Sequence, residues 1–330
     1  MRKLPFFLLC FVSAILAFSS LIIFYPRGKQ VEAVKKTYIE LWHIDTFEGG
    51  VGSRRAFLEK AALSYQKKSD TVVIVKEQTV YSAEQNFSNN IYPDMISFGS
   101  GIKLPYDRLV SLKTGKSDKN NKEAIAKSEK SGGNDYAKVW CMGGYVKITR
   151  KGVSADGLII SEQKNAMPYL AAKLSGETLP LKQVTDSDKA VYSFYADKNA
   201  ALVGTQRDLF RIENKGIDID VVPYAGYNDL YQYVSVISAD DEKAFKCGLF
   251  IDYILSDEIA GKLDGIGMLC CDKSGKVKAK NSPTDVFDKI SYSYALPAFT
   301  TAEGIAKLKN LANDYERNSE SIKSALKYLK

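Results

Sequence analysis

The fold is decided by one continuous stretch, Tyr38-Ile39-Glu40-Leu41-Trp42-His43-Ile44-Asp45-Thr46-Phe47-Glu48-Gly49-Gly50-Val51-Gly52-Ser53-Arg54. Its first half alternates with a period of two, which predicts a β-strand that points Ile39 and Leu41 to one face. The glycines that follow permit a tight turn, and Ser53 is a suitable N-cap for a helix. Because ligands of open α/β sheets bind beyond the carboxyl ends of strands, we expect a ligand site where this strand ends.

The candidate site residues in this stretch combine aromatic rings with polar groups, and they are Trp42, His43, Asp45, Phe47 and Glu48. Each also has an ordinary structural interpretation. Trp42 is equally suited to filling a core, and Asp45 and Glu48 are of a type that often lies solvated in turns or near helix ends. A lone histidine such as His43 is more often structural than a pH-dependent contact.

Strands and helices alternate after this stretch. Residues 53–68 carry apolar side chains at helical spacing, while residues 71–75 and 94–98 are short apolar strands. This β-α-β-α-β order predicts a mainly parallel sheet with helices on its faces. Since the chain has 330 residues, we expect two lobes of ordinary domain size.

The net charge of +7 is concentrated at the N-terminus. Residues 1–36 contain six Lys and Arg against one Glu, which leaves 40 basic and 38 acidic residues, or +2, for the rest of the chain. The remainder is therefore nearly neutral and lacks the basic surface of a nucleic-acid binder.

An apolar segment of 22 uncharged residues, Leu4 to Tyr25, follows Arg2 and Lys3. It is long enough to span a bilayer, and it also permits a secretory signal cleaved near Ala17-Phe18-Ser19. We favour an uncleaved anchor, followed by a polar stalk that ends near Lys36. Basic residues after the segment outnumber those before it, which argues against an exported domain.

Few residues of the sequence could form a metal site. Cys141, Cys247, Cys270 and Cys271 have no zinc-type spacing, so we expect buried free thiols. With a single histidine, His43, the chain has no multi-histidine metal site. We expect no metal and no cofactor.

Four phrases in a fixed order carry a family resemblance. They are Ile39 to Arg54, Pro93 to Gly101, Met142 to Val146 and Ala201 to Arg211. Together they resemble the extracellular solute-binding proteins of ABC importers, in particular the carbohydrate-binding family of Gram-positive bacteria. The resemblance runs from about residue 38 to about residue 300.

The resemblance implies a two-lobed α/β clamp of the type II periplasmic-binding-protein fold, preceded by the N-terminal signal or anchor segment and stalk of residues 1–36. Lobe 1 would comprise residues 37–142 and 234–290, and lobe 2 residues 143–233 and 291–330. The chain would cross between the lobes near Gly143 to Val146 and near Gln232 to Val236, where hinge bending closes the clamp.

The resemblance further implies capture of a carbohydrate, expected to be an oligosaccharide, on the extracytoplasmic face of the cell membrane. The partners would be the ligand, the transmembrane subunits of an ABC permease and, through the N-terminal segment, the membrane; no nucleic acid is expected. Aromatic rings would cover sugar C–H faces and polar groups would bind hydroxyls. The expected ligand-binding residues are Trp42, His43, Asp45, Phe47, Glu48, Phe98, Ser100, Tyr145, Gln206, Arg207, Asp208 and Tyr233.

Several alternatives stay open. The same clamp would suit a membrane-tethered ligand sensor or another surface module. An exported glycosidase would need Asp45 and Glu48 as its carboxylate pair, although neighbours on one turn rarely flank a scissile bond. A Ser-His-Asp hydrolase would need His43, but no serine lies in a G-x-S-x-G motif. An anion held at the helix start near Arg54 and Arg55 is a minor alternative.

Overall fold

A computed structural model describes residues 36–112, 124–237, 240–271, 276–279 and 282–328. The described residues from Thr37 onward belong to one compact unit. Among the described residues, no helix has both the length and the apolar character needed to cross a membrane. The predicted apolar segment at residues 4–25 lies outside the described residues, so its role stays a prediction.

The chain contains sixteen strands and ten α-helices within the described ranges. The strands are β1 (Thr37–His43), β2 (Thr71–Glu77), β3 (Met95–Phe98), β4 (Lys130–Ser131), β5 (Asn134–Asp135), β6 (Lys138–Met142), β7 (Tyr145–Arg150), β8 (Gly157–Glu162), β9 (Leu181–Asp186), β10 (Ala200–Thr205), β11 (Ile219–Pro223), β12 (Tyr227–Asn228), β13 (Tyr231–Val236), β14 (Cys270–Cys271), β15 (Val277–Lys278) and β16 (Tyr294–Ala295). The helices are α1 (Arg54–Gln66), α2 (Val80–Ser88), α3 (Ala124–Ser128), α4 (Pro168–Leu174), α5 (Ser187–Ala196), α6 (Gln206–Glu213), α7 (Asp241–Ile254), α8 (Asp257–Ala260), α9 (Ala302–Ala312) and α10 (Tyr315–Tyr328).

Two five-stranded sheets organise these elements. The first sheet has the order β2-β1-β3-β13-β6 and the second the order β11-β7-β10-β8-β9. In the first sheet only β13 runs against the other four strands, and in the second only β7 does. The predicted class, an α/β fold with mainly parallel sheets flanked by helices, is confirmed.

The chain passes between the sheets at two segments, which we call the crossovers. Strand β6 belongs to the first sheet and β7 to the second, so Gly143-Gly144 forms the first crossover. The second crossover, residues 224–230, leads from β11 in the second sheet to β13 in the first. The two are hydrogen bonded to each other, since Gly143 N donates to the Leu230 carbonyl at 2.7 Å. The division of the chain into lobes at the predicted boundaries stays a prediction.

The predicted strand β1 and the helix after it form as the sequence indicates. Ile39 and Leu41 are fully buried against the apolar face of α1, and Ser53 caps that helix by accepting a hydrogen bond from the Ala56 amide. Trp42, on the opposite face, packs on Phe87 of α2 with ring centroids 5.7 Å apart. Burial on both faces gives the end of this strand a fixed position.

Two elements toward the C-terminus add detail to the sequence pattern. The residues from Tyr231 to Ser238 form two alternating sets, and all six residues of β13 are buried because the strand lies inside the first sheet. The sequence predicts a single helix from about Ala302 to the C-terminus, but the structure has two helices there, α9 and α10. The break falls at Asn313-Asp314, two poor helix formers, and the Asn318 amide donates to the Leu311 carbonyl there.

Candidate ligand site

The carboxyl ends of strands from both sheets meet along one contact zone, which we call the seam. Residues 45–48 follow β1 and residues 99–101 follow β3, both in the first sheet. Gln163, Ser187 and Arg207 follow β8, β9 and β10 of the second sheet. Ligands of α/β folds bind beyond strand ends, so the seam is the candidate position for a site.

Glu48 joins the two sides of the seam. Its Oε2 lies 2.8 Å from Arg207 Nη1 and accepts a hydrogen bond from Ser187 Oγ at 3.0 Å. Its backbone amide donates to Gln163 Oε1 at 3.3 Å. The Glu48 and Arg207 side chains are 40% and 33% exposed, so solvent screens this ion pair and its contribution to stability is small.

Asp45 is the most exposed carboxylate at the end of β1. Its Oδ1 lies 2.7 Å from Arg54 Nη2 and 3.0 Å from His43 Nε2, while its side chain is 49% exposed. Its Oδ2 makes no hydrogen bond with a described residue. Burial raises the pKa of Asp45, but the hydrogen bond from His43 and the charge of Arg54 outweigh that effect and hold the pKa below its usual value.

Arg54, the first residue of α1, contacts this carboxylate with a buried guanidinium. It is 3% exposed, its Nη2 donates to the Phe47 carbonyl, and its guanidinium lies 4.1 Å from the centroid of the Phe47 ring. Its Nη1 is buried without a hydrogen-bond partner among the described residues. Phe47 is itself buried, so its ring supports Arg54.

His43 continues the network into the core. Its Nδ1 lies 3.0 Å from Ser97 Oγ, and Ser97 Oγ also accepts from Trp140 Nε1 at 2.9 Å and from Gln232 Nε2 at 3.1 Å. His43, Ser97 and Gln232 are fully buried. A chain of hydrogen bonds therefore runs from the middle of the first sheet to the exposed Asp45.

Four other predicted ligand residues, in or next to strands of the first sheet, lie in the core. Trp42 Nε1 donates to Glu40. Phe98 is fully buried beside Tyr233, whose hydroxyl donates to the Leu296 carbonyl at 2.9 Å. Ser100 is buried and donates to the Pro297 carbonyl. These side chains make protein contacts in this structure.

Tyr145, Gln206 and Asp208 lie beside the first crossover and in the start of α6. Gln206 Oε1 accepts from the Gly144 amide at 3.0 Å, and the Tyr145 hydroxyl donates to Asp229 in the second crossover. Thr205 and Asp208 have the spacing of a capping box, and the Thr205 amide donates to Asp208 as one half of that motif. Burial raises the pKa of Asp208, an effect that this hydrogen bond and Arg211 oppose.

Of the twelve predicted ligand residues, the structure thus brings three exposed polar side chains to the ends of β1 and β10: Asp45, Glu48 and Arg207. The sequence reasoning missed Gln163 and Ser187, which belong to the same seam. The apolar run from Gly157 to Ser161 was the available signal, because a buried strand there would have placed Gln163 at a strand end.

The arrangement does not fit the hydrolytic alternatives. Ser97, His43 and Asp45 are connected in a row, but Ser97 Oγ is fully buried and engaged by two donors, so it is not placed to attack a substrate. A glycosidase acid needs a raised pKa, whereas the pKa of Asp45 is lowered, so Asp45 does not suit the role of the acid. No group of three metal-binding side chains occurs among the described residues. The described cysteines are free thiols, three buried and Cys271 half-buried.

A separate surface cavity of about 510 Å³ lies beside the second crossover. Its lining includes Lys147, Glu177, Pro223 and Tyr224, and it contains none of the predicted ligand residues. Glu177 accepts from both Lys147 and Tyr224, so the charges in this cavity are already paired.

Several solved structures are similar to this chain. The sugar-binding protein MalE of Xanthomonas citri aligns with a TM-score of 0.60 and 12% identity, covering 89% of this chain and 95% of that one. The GacH receptor of Streptomyces glaucescens, solved unliganded and with acarbose, aligns with a TM-score of 0.55 and 14% identity, covering 89% and 100%. The maltose-maltodextrin binding protein of Alicyclobacillus acidocaldarius aligns with a TM-score of 0.54 and 12% identity, covering 89% of this chain and 98% of that one. No family model and no curated protein matches the sequence.

The two mixed sheets, the crossovers and these alignments define the class of the chain. It has the two-lobed type II periplasmic-binding-protein fold found in sugar-binding receptors. The resemblance drawn from the four sequence phrases is confirmed at the level of the fold.

Proposed function

We propose that this chain is an extracytoplasmic solute-binding protein that captures a carbohydrate, expected to be an oligosaccharide, at the seam. It would deliver the ligand to the transmembrane subunits of an ABC importer and would be held at the membrane by its N-terminal segment. The observation that carries the proposal is the Asp45 carboxylate, which is held ionised and whose Oδ2 has no hydrogen-bond partner among the described residues.

Asp45 has the properties required of a hydroxyl acceptor. An ionised carboxylate accepts stronger hydrogen bonds than a neutral oxygen does, and its geometry is fixed here by Arg54 and His43. Because its orientation is set before the ligand arrives, little side-chain entropy is lost on binding. A hydrogen bond to a charged group contributes about 1.5–3 kcal/mol.

Glu48 and Arg207 supply the second part of the proposed site. Their ion pair crosses the seam and is partly exposed, so it exchanges at low cost for hydrogen bonds to ligand hydroxyls. Ser187 and Gln163 already contact Glu48 and would join the same polar wall. Bending at the crossovers, which connect the two sheets, would allow the opening that admits the ligand.

A thermal-shift screen of the purified chain against mono- and oligosaccharides tests this proposal. A ligand that binds only the folded state raises stability by about 2.7 kcal/mol at a hundredfold excess over its dissociation constant. We expect at least one sugar to raise the melting temperature. A shift with peptides or anions and with no sugar would refute the carbohydrate assignment.

A further inference from the structure

The direction of each hydrogen bond around Ser97 follows from its partners. Trp140 Nε1 carries a proton and only donates. Gln232 Nε2 donates to the Ile44 carbonyl at 2.9 Å, which identifies it as the amide nitrogen, and it therefore also donates to Ser97 Oγ. Two donors occupy the two lone pairs of the hydroxyl. The Ser97 proton then points to the remaining neighbour, His43 Nδ1.

This direction determines the state of the imidazole. If Nδ1 accepts from Ser97, the ring proton lies on Nε2, which donates to Asp45 Oδ1 at 3.0 Å. An imidazolium would instead place a third donor against Ser97 Oγ and leave the serine proton without an acceptor among its described neighbours. The buried surroundings therefore match the neutral imidazole with its proton on Nε2.

The groups around the imidazole are few. Asp45 and Arg54 lie on the seam side, the Trp140 ring lies 6.2 Å away in an edge arrangement, and Ser97 lies on the core side. His43 itself is fully buried, so a ligand at the seam would contact Asp45 and not the imidazole.

We infer that His43 is a positioning residue, locked by Ser97 as the tautomer that carries its proton on Nε2, and that it orients Asp45 toward the seam. Together with Arg54 it occupies Oδ1 and so leaves Oδ2 for the ligand. The ligand part of this inference rests on the proposed function, whereas the tautomer does not.

Nitrogen NMR of the full chain with ¹⁵N-labelled histidine tests the inference directly, because the chain has one histidine. At neutral pH we expect one pair of ring signals, with Nδ1 unprotonated and Nε2 bonded to hydrogen. Ser97→Ala removes the donor to Nδ1 and should shift that signal. Ser235→Ala, at another fully buried serine of the same sheet, is the matched control and should leave both signals unchanged.

Binding provides the second measurement. For a sugar that binds the parent chain, Ser97→Ala should weaken affinity by about five- to tenfold through the lost hydrogen bond, and Ser235→Ala should not. A proton on Nδ1, an imidazolium at neutral pH, or an unchanged Nδ1 signal in Ser97→Ala would overturn the positioning role. If the tautomer is found as expected but no sugar binds, the proposed function fails and the locked imidazole stands.

Discussion

Arg54 shows at the scale of a single residue how the proposed ligand site is held in place. Its buried guanidinium contacts the Asp45 carboxylate, the Phe47 carbonyl and the Phe47 ring at the same time. A planar fork of donors makes this possible, and a lysine ammonium cannot reproduce it. The exposed position of Asp45 and the buried position of Arg54 together explain why the carboxylate stays ionised near solvent.

Arg54→Lys should therefore destabilise the protein by about 1–3 kcal/mol, since buried acceptors lose a matched donor. The free energy of unfolding in urea is the measurement. Arg55→Lys is the control, because Arg55 is next in the chain but its side chain is 43% exposed, and its change should stay within about 0.5 kcal/mol. Equal effects of the two substitutions would contradict the role given to Arg54.

At the residue scale the sequence predicted the right segment but not the contacts of each side chain. Asp45, Glu48 and Arg207 are exposed enough to meet a ligand, whereas Phe98 and Tyr233 are buried with protein partners. An aromatic residue near a strand end suits a core as well as a sugar face, and only packing decides between them. The ligand roles of the buried residues stay predictions.

At the scale of elements, the first crossover has side chains of other elements packed closely against its backbone. A Cβ atom on Gly144 would lie 2.4 Å from Cε1 of the buried Phe287 ring, and one on Gly143 would lie 2.8 Å from Gln206 Oε1. The glycine pair was predicted as a point where φ and ψ change. The structure adds a packing reason for it, because no larger residue fits between these side chains.

Gly144→Ala should accordingly destabilise the chain by about 1–3 kcal/mol through overpacking. Gly248→Ala is the matched comparison, because Gly248 lies inside α7, where an added Cβ would have no heavy atom within 4 Å apart from its own stretch of the helix. That substitution should stabilise by about 0.5–1 kcal/mol through the helix propensity of alanine. Thermal melting of both variants measures this, and two changes of the same sign would contradict the packing argument.

Sequence patterns predicted the elements near the opening stretch because their burial is mostly periodic. Helix α1 and the first part of strand β1 each bury one regular face, which the spacing of apolar residues records. Strand β13 is buried on both faces, so its sequence does not show which side carries the core. The partners across the seam come from residues more than 100 positions apart, which one sequence does not pair.

At the scale of the whole molecule, Asp229 in the second crossover is hydrogen bonded to Tyr145, which directly follows the first crossover. It is fully buried and accepts from the hydroxyls of Tyr145 and Tyr227 and from the Met167 amide. Burial raises its pKa to about 6, although the hydroxyls of Tyr145 and Tyr227, the Met167 amide and the charge of Lys309 oppose this shift. The folded protein therefore binds a proton at Asp229 more tightly than the unfolded chain does.

A raised pKa in the folded state gives a stabilisation that is complete below the unfolded value of about 4 and is lost as the pH rises through about 6. As the pH rises from 4 to 7, the titration of Asp229 should thus lower the free energy of unfolding by on the order of 1–3 kcal/mol. Asp229→Asn removes the titration, so the difference in unfolding free energy between parent and variant should depend on pH in this range. A difference that is constant from pH 4 to pH 7 would refute the assignment.

The central claim is that a sugar binds at the seam through Asp45. Titration calorimetry with a sugar identified by the thermal screen tests it, using Asp45→Asn and, as control, Asp252→Asn at an exposed position of α7. Loss of a charged hydrogen-bond acceptor predicts at least about tenfold weaker binding for Asp45→Asn, equivalent to about 1.4 kcal/mol, and unchanged binding for Asp252→Asn. Sugar binding of equal strength in the parent and in Asp45→Asn would contradict the account.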